Sequence, residues 1–502
     1  MSSPVSRRLL LRGLVVVAVV LLAVGGAVAF IVAHKPGNVS HPDVEFTHPT
    51  ITQPPPPPPV PVEHRPAVDR FQWPWYGFDA GRTRFFPGAS GLHPPLHVGW
   101  RFNDGGLLEF PPVIYQRTLY LVDDNGWAKA LNTITGRLRW ERRVGTLAAA
   151  SPAVDAERRL VLIPVLSTHQ SPGSKQSPGA GRFVALSIKT GRIVWSRAVP
   201  AGTESSPIVH GKTVYFGDQS GTMYAVRSAD GHLDWTYHAS GAIKAGPALV
   251  AGVLYFGDYA GRAYALGARN GHEIWAVGTN GAHFGFGSGQ FYSSPAVAFG
   301  RVYLGNTDGR VYSFGVHTGA LAWAIETGSY VYASPAVQDT PGLGPTVYIG
   351  SYDGRFYAFN AQSGAIRWTH DAGGKISGSA TIIGDVIYYS DLGSRTTAGL
   401  NARTGSPVFS FPDGAFNAAI ADPKAIYLDG YQTVYQMLPG AHPRRVAAAA
   451  HHQAKHRQAQ SRPPKHRPAP RRKADQRATK RKKASPQSVT EQTFVRPRRS
   501  LL

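Results

Sequence analysis

The stretch Ala130-Leu131-Asn132-Thr133-Ile134-Thr135-Gly136-Arg137-Leu138-Arg139-Trp140 comes back along the chain. It returns as Ala185-Leu186-Ser187-Ile188-Lys189-Thr190-Gly191-Arg192-Ile193-Val194-Trp195, then at Ala225 to Trp235, Ala265 to Trp275, Phe314 to Trp323, Phe359 to Trp368 and Leu400 to Phe409. With Trp100 in front, the aromatic positions 100, 140, 195, 235, 275, 323, 368 and 409 are separated by 40, 55, 40, 40, 48, 45 and 41 residues. A period near 40 with four short strands per unit predicts a β-propeller.

One unit shows the strands. Ser206-Pro207-Ile208-Val209 opens the inner strand, Thr213 to Gly217 is the second, Gly221 to Val226 the third and Leu233 to Tyr237 the outer fourth. Asp218 to Gly221 and Asp258 to Gly261 read as turns between strands two and three. Asp230-Gly231 and Asn270-Gly271 read as turns between three and four. Inner sets begin near Pro112, Pro152, Pro207, Pro247, Pro295, Pro335, Ser379 and Ala419. The outer strand at Trp100 precedes the first of them, and the last inner set has no outer strand after it. The expectation is an all-β, eight-bladed propeller of four-stranded blades whose first strand closes its last blade. Seven blades is the alternative if the last set fails to pair. Closure removes the open sheet edges that invite aggregation. Trp100, Trp140, Trp195, Trp235, Trp275, Trp323, Trp368 and Phe409 are expected to pack between neighbouring blades as structural staples.

Composition excludes several chemistries. Of 502 residues, 56 are Gly and 40 Pro, which suits short strands and tight turns, and none is Cys. Disulfides, thiolate metal sites, a Cys nucleophile and a lipidated N-terminal Cys are therefore excluded. The net charge of +23 sits mostly on one segment. Residues 441–502 hold eighteen Lys and Arg against Asp475 and Glu491, so that tail carries +16.

The chain divides into a cytoplasmic stub with a transmembrane signal anchor (1–34), a Pro-rich extracytoplasmic stalk (35–70), the propeller (71–440) and a disordered basic tail (441–502). Leu14 to Ala33 carries no charge and is long enough as a helix to span about 30 Å. Arg7, Arg8 and Arg12 before it predict a cytoplasmic N-terminus and a propeller outside, in the cytoplasmic membrane as a single-pass protein. Ala27-Val28-Ala29 would serve as a cleavage site, which would make the protein secreted. Pro54 to Pro59 predicts a stiff polyproline stalk. The tail has the composition of disorder and the charge to bind anionic lipid or cell-wall polymer.

The unit Ala-x-Asx-x-x-Thr-Gly-x-x-x-Trp resembles the tryptophan-docking motif of the pyrroloquinoline-quinone (PQQ) repeat family over about residues 73–438. The resemblance implies an eight-bladed propeller and one of two roles. Quinoprotein dehydrogenases of the family hold PQQ and Ca²⁺ in the central funnel and oxidise alcohols or sugars. The propeller lipoprotein of the outer-membrane β-barrel assembly machinery binds partner proteins. This chain lacks the adjacent Cys pair of many of the former and the lipidated Cys of the latter.

Residues just before each inner strand are expected to ring the central channel: Glu109, Glu204, Lys244, Tyr292, Tyr332, Lys375 and Asn417. A Glu and an Asn across a funnel would suit Ca²⁺; Lys244 and Lys375 suit a polar or anionic ligand, or water. His283 lies in an inserted loop, 279–291. That loop and a second insertion, 168–181, build up one face, which makes it the better binding candidate, while 338–346 extends the opposite one. No histidine pair in the body has metal-ligand spacing, and no nucleophile elbow or phosphate-binding loop is present. The expectation is a membrane-anchored binding or assembly scaffold without catalysis of its own and without a metal site. A PQQ-dependent dehydrogenase with calcium and a structural cell-envelope linker are the alternatives, and nucleic acid is not expected as a partner.

Overall fold

The computed structural model describes residues 16–26, 37–49, 70–88, 91–166, 181–279, 289–417 and 419–440. The chain divides into two units at 442/443, and the second lies outside the described residues, as does the polyproline run. The described residues form eight β-sheets, each with four strands of one blade. In the third blade, Ile208–His210, Thr213–Gly217, Thr222–Arg227 and Leu233–His238 pair in that order, antiparallel throughout. Its inner strands are mostly buried because adjacent blades cover both faces. Only the outer strand alternates between half-buried and exposed residues.

Ring closure uses the two ends of the repeat region. Leu96–Asn103 completes the eighth sheet by pairing with Thr433–Pro439, with Trp100 opposite Gln436. In every blade the pairing of strands three and four shifts register beside the outer aromatic residue, as between Ala225 and Val226 opposite Trp235 and Leu233. Such a bulge re-aims one side chain, here the aromatic one, toward the next blade.

Each Trp then meets the next blade's Asx-x-x-Thr-Gly turn. The indole Nε1 of Trp100 donates to Thr133 O (2.9 Å), Trp140 to Ile188 O (3.1 Å), Trp195 to Ser228 O (2.8 Å) and Trp235 to Ala268 O (3.1 Å). Trp275, Trp323 and Trp368 do the same to Val316, Ala361 and Ala402. The Gly is fixed twice over. At Gly191 φ is +65°, and a Cβ there would lie 2.5 Å from the Trp140 ring. Phe409 packs on Tyr388 within its own blade. The blade beyond it is the one closed by two chain ends, so it has no strand-three-to-four turn to receive an indole donor.

Two segments before the first blade are not part of any repeat. Residues 71–86 thread the channel along the inner strands. Gln72–Trp73 pairs with Val113–Tyr115, and Phe85–Phe86 runs parallel to Thr381–Ile383. Between them the carbonyls of Pro74, Ala80, Gly81 and Thr83 accept the amides of Val154, Leu249, Val297 and Val337. The thread thus satisfies the inner-edge donors of blades that would otherwise present them to an open channel. The propeller blades start at Leu96, so the repeat reading from Trp73 is corrected over this stretch.

The second segment, 37–49, straps the fifth blade from outside. Val39–Ser40 pairs with the outer strand at Ala324 and Trp323. Glu45 accepts from the amides of His317 (2.7 Å) and Thr318 (3.0 Å) and from the Thr318 hydroxyl. Phe46 packs on Phe299, with Arg301 over its ring. The first part of the expected free stalk is therefore bound to the body. Trp323 consequently has no exposed surface, whereas Trp140 and Trp235 are half-buried. At 16–26 the chain is helical, and among the described residues no helix is long and apolar enough to cross a membrane.

The eighth blade holds an unusual acid. Asp429 ends its second strand, where blades three to six end on Gly217, Gly257, Gly305 and Gly350. It is buried, neither carboxyl oxygen has a hydrogen-bond partner among the described residues, and burial together with Asp104 and Asp413 pushes its pKa well up. An acid that keeps its proton when folded loses stability as pH rises above its unfolded value near 4, where the unfolded chain alone ionises. Asp429→Asn should therefore match the wild type at pH 4 and melt at a higher temperature at pH 7. Thermal unfolding at both values checks this; a gap that does not widen with pH would show that Asp429 is compensated.

Candidate functional site

The channel is built on a circle of hydrogen bonds from blade to blade. Ser151 N donates to Ser206 Oγ (3.0 Å), Gly246 N to Ser294 Oγ (2.9 Å), Ser294 N to Ser334 Oγ (3.0 Å) and Ser334 N to Ser379 Oγ (2.8 Å). Ser379 N donates to Asn417 Oδ1 (3.2 Å), and Asn417 Nδ2 to Glu109 O (2.8 Å). The circle lacks a side chain at Gly246, and the threading segment fills that place: a Cβ on Gly246 would lie 3.0 Å from Arg82 Nη2. Arg82 is fully buried and donates to Pro247 O (2.6 Å), Tyr76 O (2.6 Å), Ser206 O (2.7 Å) and Pro207 O (3.3 Å). Arg84, also buried, lies over the Tyr76 ring.

Tyr76 forms the floor of the pocket above this circle, its hydroxyl donating to Ser379 Oγ at 2.7 Å. Burial alone would raise its pKa, but Arg84 and the hydroxyls of Ser334 and Ser379 outweigh it, and the net direction is down. Glu109, Glu204, Lys244, Tyr292, Tyr332 and Asn417 line the pocket together. Lys375 lies outside this lining, its Nζ over the Tyr352 ring at 5.8 Å, and His283 lies outside the described residues. So do most of the two inserted loops, 167–180 and 280–288. The insertion on the other face is a longer hairpin, Ala336–Thr340 with Gly344–Gly350.

Glu204 accepts from Lys244 Nζ (2.9 Å) and Gln219 Nε2 (2.6 Å). Among the described residues Glu109 has no such partner. Burial first, then Asp124 and Glu204, push its pKa up to about 7 against the pull of Lys244. Burial, Asp123 and Glu204 push Asp124 up to about 6. Asp124, Gln219, Tyr259 and Tyr352 reach the pocket surroundings from one repeated place, the second position of the turn between strands two and three. Reading only the residues before the inner strands misses that position, although its register is fixed by the neighbouring Gly126, Gly221, Gly261 and Gly354.

The family model of the outer membrane protein assembly factor BamB, of PQQ-like repeats, matches at residues 97–242, 235–343 and 333–442. This chain belongs to that family. Similar solved structures include BamB from Moraxella catarrhalis, at 18% identity and a TM-score of 0.56, covering 68% of this chain and 99% of that one. The quinohemoprotein alcohol dehydrogenase ADHIIG from Pseudomonas putida HK5 has 13% identity and a TM-score of 0.61, covering 74% and 80%. The computationally designed protein Ika8 has 13% identity and a TM-score of 0.53, covering 67% and 98%. At such identities the likeness is one of fold. No curated protein matches significantly.

A quinone with calcium does not fit the residues present in this BamB-family funnel. The amide of Asn417 is committed at both ends to closing the circle, and Glu204 holds an ammonium where a divalent cation would need it. Among the described residues no three acids or histidines gather as a metal-ligand set. The donor set is that of a polar pocket with a tyrosine wall.

Proposed function

We propose that this BamB-family propeller is a membrane-anchored extracytoplasmic scaffold that docks a protein partner on its funnel face and has no catalysis of its own. The observation that carries the reading is the pocket in the channel, where Tyr76 of the thread meets a lining of acids, tyrosines and a lysine. The apolar run Leu14 to Ala33 behind Arg7, Arg8 and Arg12 supports the anchor, and BamB being an outer membrane protein assembly factor supports a protein partner. The tail charge supports a second contact, with anionic lipid or cell-wall polymer.

Photocrosslinking residues placed one at a time test the docking face in cells. At Tyr330, half exposed on the funnel face, the expected result is one discrete adduct. At Arg403, on the opposite face, none is expected. Equal adducts from both positions, or adducts from Arg403 alone, would overturn the assignment of the face.

A further inference from the structure

Tyrosines form a continuous arc on one side of the funnel. Ring centroids are 6.3 Å apart between Tyr259 and Tyr292, 5.9 Å between Tyr292 and Tyr332, and 4.8 Å between Tyr332 and Tyr352. The protein's own ammonium groups already use the two ends. Lys244 Nζ lies 5.2 Å from the Tyr259 centroid, and Lys375 Nζ lies 5.8 Å from that of Tyr352. Among the described residues the middle rings, Tyr292 and Tyr332, carry no cation. Beside them stands Glu109, a pocket-lining carboxylate that, unlike Glu204, has no ion pair or side-chain hydrogen bond among the described residues.

We infer that the funnel seats one basic side chain of the protein partner, an arginine or lysine, with its charge against Glu109 and its flank on Tyr292 and Tyr332. This rests on the proposal that the funnel face docks a protein. A cation on a tyrosine face gains about 0.5–2 kcal/mol, more as water is excluded, and a charge-assisted hydrogen bond adds to it. Arginine is the better fit because a planar guanidinium stacks on one ring while its edge donates to a carboxylate. The unpaired acid also predicts linkage. Glu109 is faced by Asp124 and Glu204, which hold its proton on, and by Lys244, which opposes them, so at neutral pH it is only partly ionised. A bound cation completes the ionisation, and binding therefore tightens as pH rises through about 7.

The test is fluorescence anisotropy of a labelled hexa-arginine peptide on the full chain in detergent, with hexa-glutamate as control. Comparing variants within the same full chain keeps the contribution of its own basic tail common to all. Glu109→Gln and Tyr332→Leu should each weaken binding by about 2- to 30-fold, the range that such contacts correspond to. Tyr332→Phe, which keeps the ring face, should bind as the wild type does. Binding should strengthen several-fold from pH 6 to pH 8 in the wild type and by clearly less in Glu109→Gln, where Asp124 still ionises in that range. A single cooperative melting transition, for Glu109→Gln no lower than that of the wild type at neutral pH, shows that the variants fold. Wild-type binding by both Glu109→Gln and Tyr332→Leu would overturn the inference, and so would competition by choline as effective as that by N-acetyl-arginine amide. If the Tyr330 crosslink persists in those variants, the docking reading stands and only the basic side chain falls; if no crosslink forms even in the wild type, the docking reading fails first.

Discussion

Arg82→Met should destabilise the protein by about 3 kcal/mol, seen as a lower urea midpoint and as new protease cleavage within 71–86. The guanidinium ties three parts together. It holds the carbonyl of Tyr76 in the thread, those of Ser206 and Pro207 in the third blade, and that of Pro247 in the fourth. Methionine fills similar volume and leaves these carbonyls without a donor in a closed channel, at about 1–3 kcal/mol each. Part of that loss is offset, because burial and the neighbouring Arg84 already disfavour the charge and push the pKa of Arg82 down to about 9. Arg82→Lys should not rescue, since one ammonium cannot span the fork of a guanidinium. A methionine variant as stable as the wild type would mean that the backbone pairing of the thread suffices without Arg82.

Trp323→Ala should cost about 3–5 kcal/mol, and more than Trp235→Ala by about 1 kcal/mol or more. Both indoles donate to a carbonyl of the next blade, so the difference lies in cover. The strap seals Trp323 completely while Trp235 keeps an exposed edge. Trp323→Phe separates the terms, keeping most of the burial and losing the hydrogen bond to Ala361, worth about 1 kcal/mol. Deleting residues 37–48 should restore access of a soluble quencher to one buried indole. Equal losses at positions 323 and 235 would show that the strap contributes no packing at the Trp.

Repetition explains what could be read beforehand. A motif that recurs with its turn glycines carries its own register, so blade number, the closing strand and the residues before each inner strand follow from spacing alone. The thread and the strap occur once and have no register to borrow. Their strongest local sign is a broken repeat: Ser206-Pro207, Ser294-Pro295 and Ser334-Pro335 keep a serine where Gly246-Pro247 does not, and the missing side chain makes room for Arg82. Lys375 keeps the expected register, and its ammonium lies 5.8 Å from the Tyr352 ring at one end of the tyrosine arc, beside the pocket lining rather than in it. The residue type of Asn417 suits a ligand, and the structure adds hydrogen bonds at both ends of its amide that join two blades.

The strap also fixes a direction. Its upper end is held where the outer strand of the fifth blade runs out toward the funnel face: Arg310 donates to the carbonyl of Gly37 and the amide of Glu326 to Asn38. With residues 14–33 in the bilayer, as proposed, only 34–36 separate the membrane from this clamp, a reach of about 10 Å at full extension. On that proposal the clamp, at the end of the outer strand that leads to the funnel face, would bring the mouth close to the lipid surface. Recruitment then becomes a search in two dimensions. A partner embedded in the same membrane meets the mouth by lateral diffusion at high effective concentration, whereas a freely diffusing one has to slide into the narrow gap beneath the propeller.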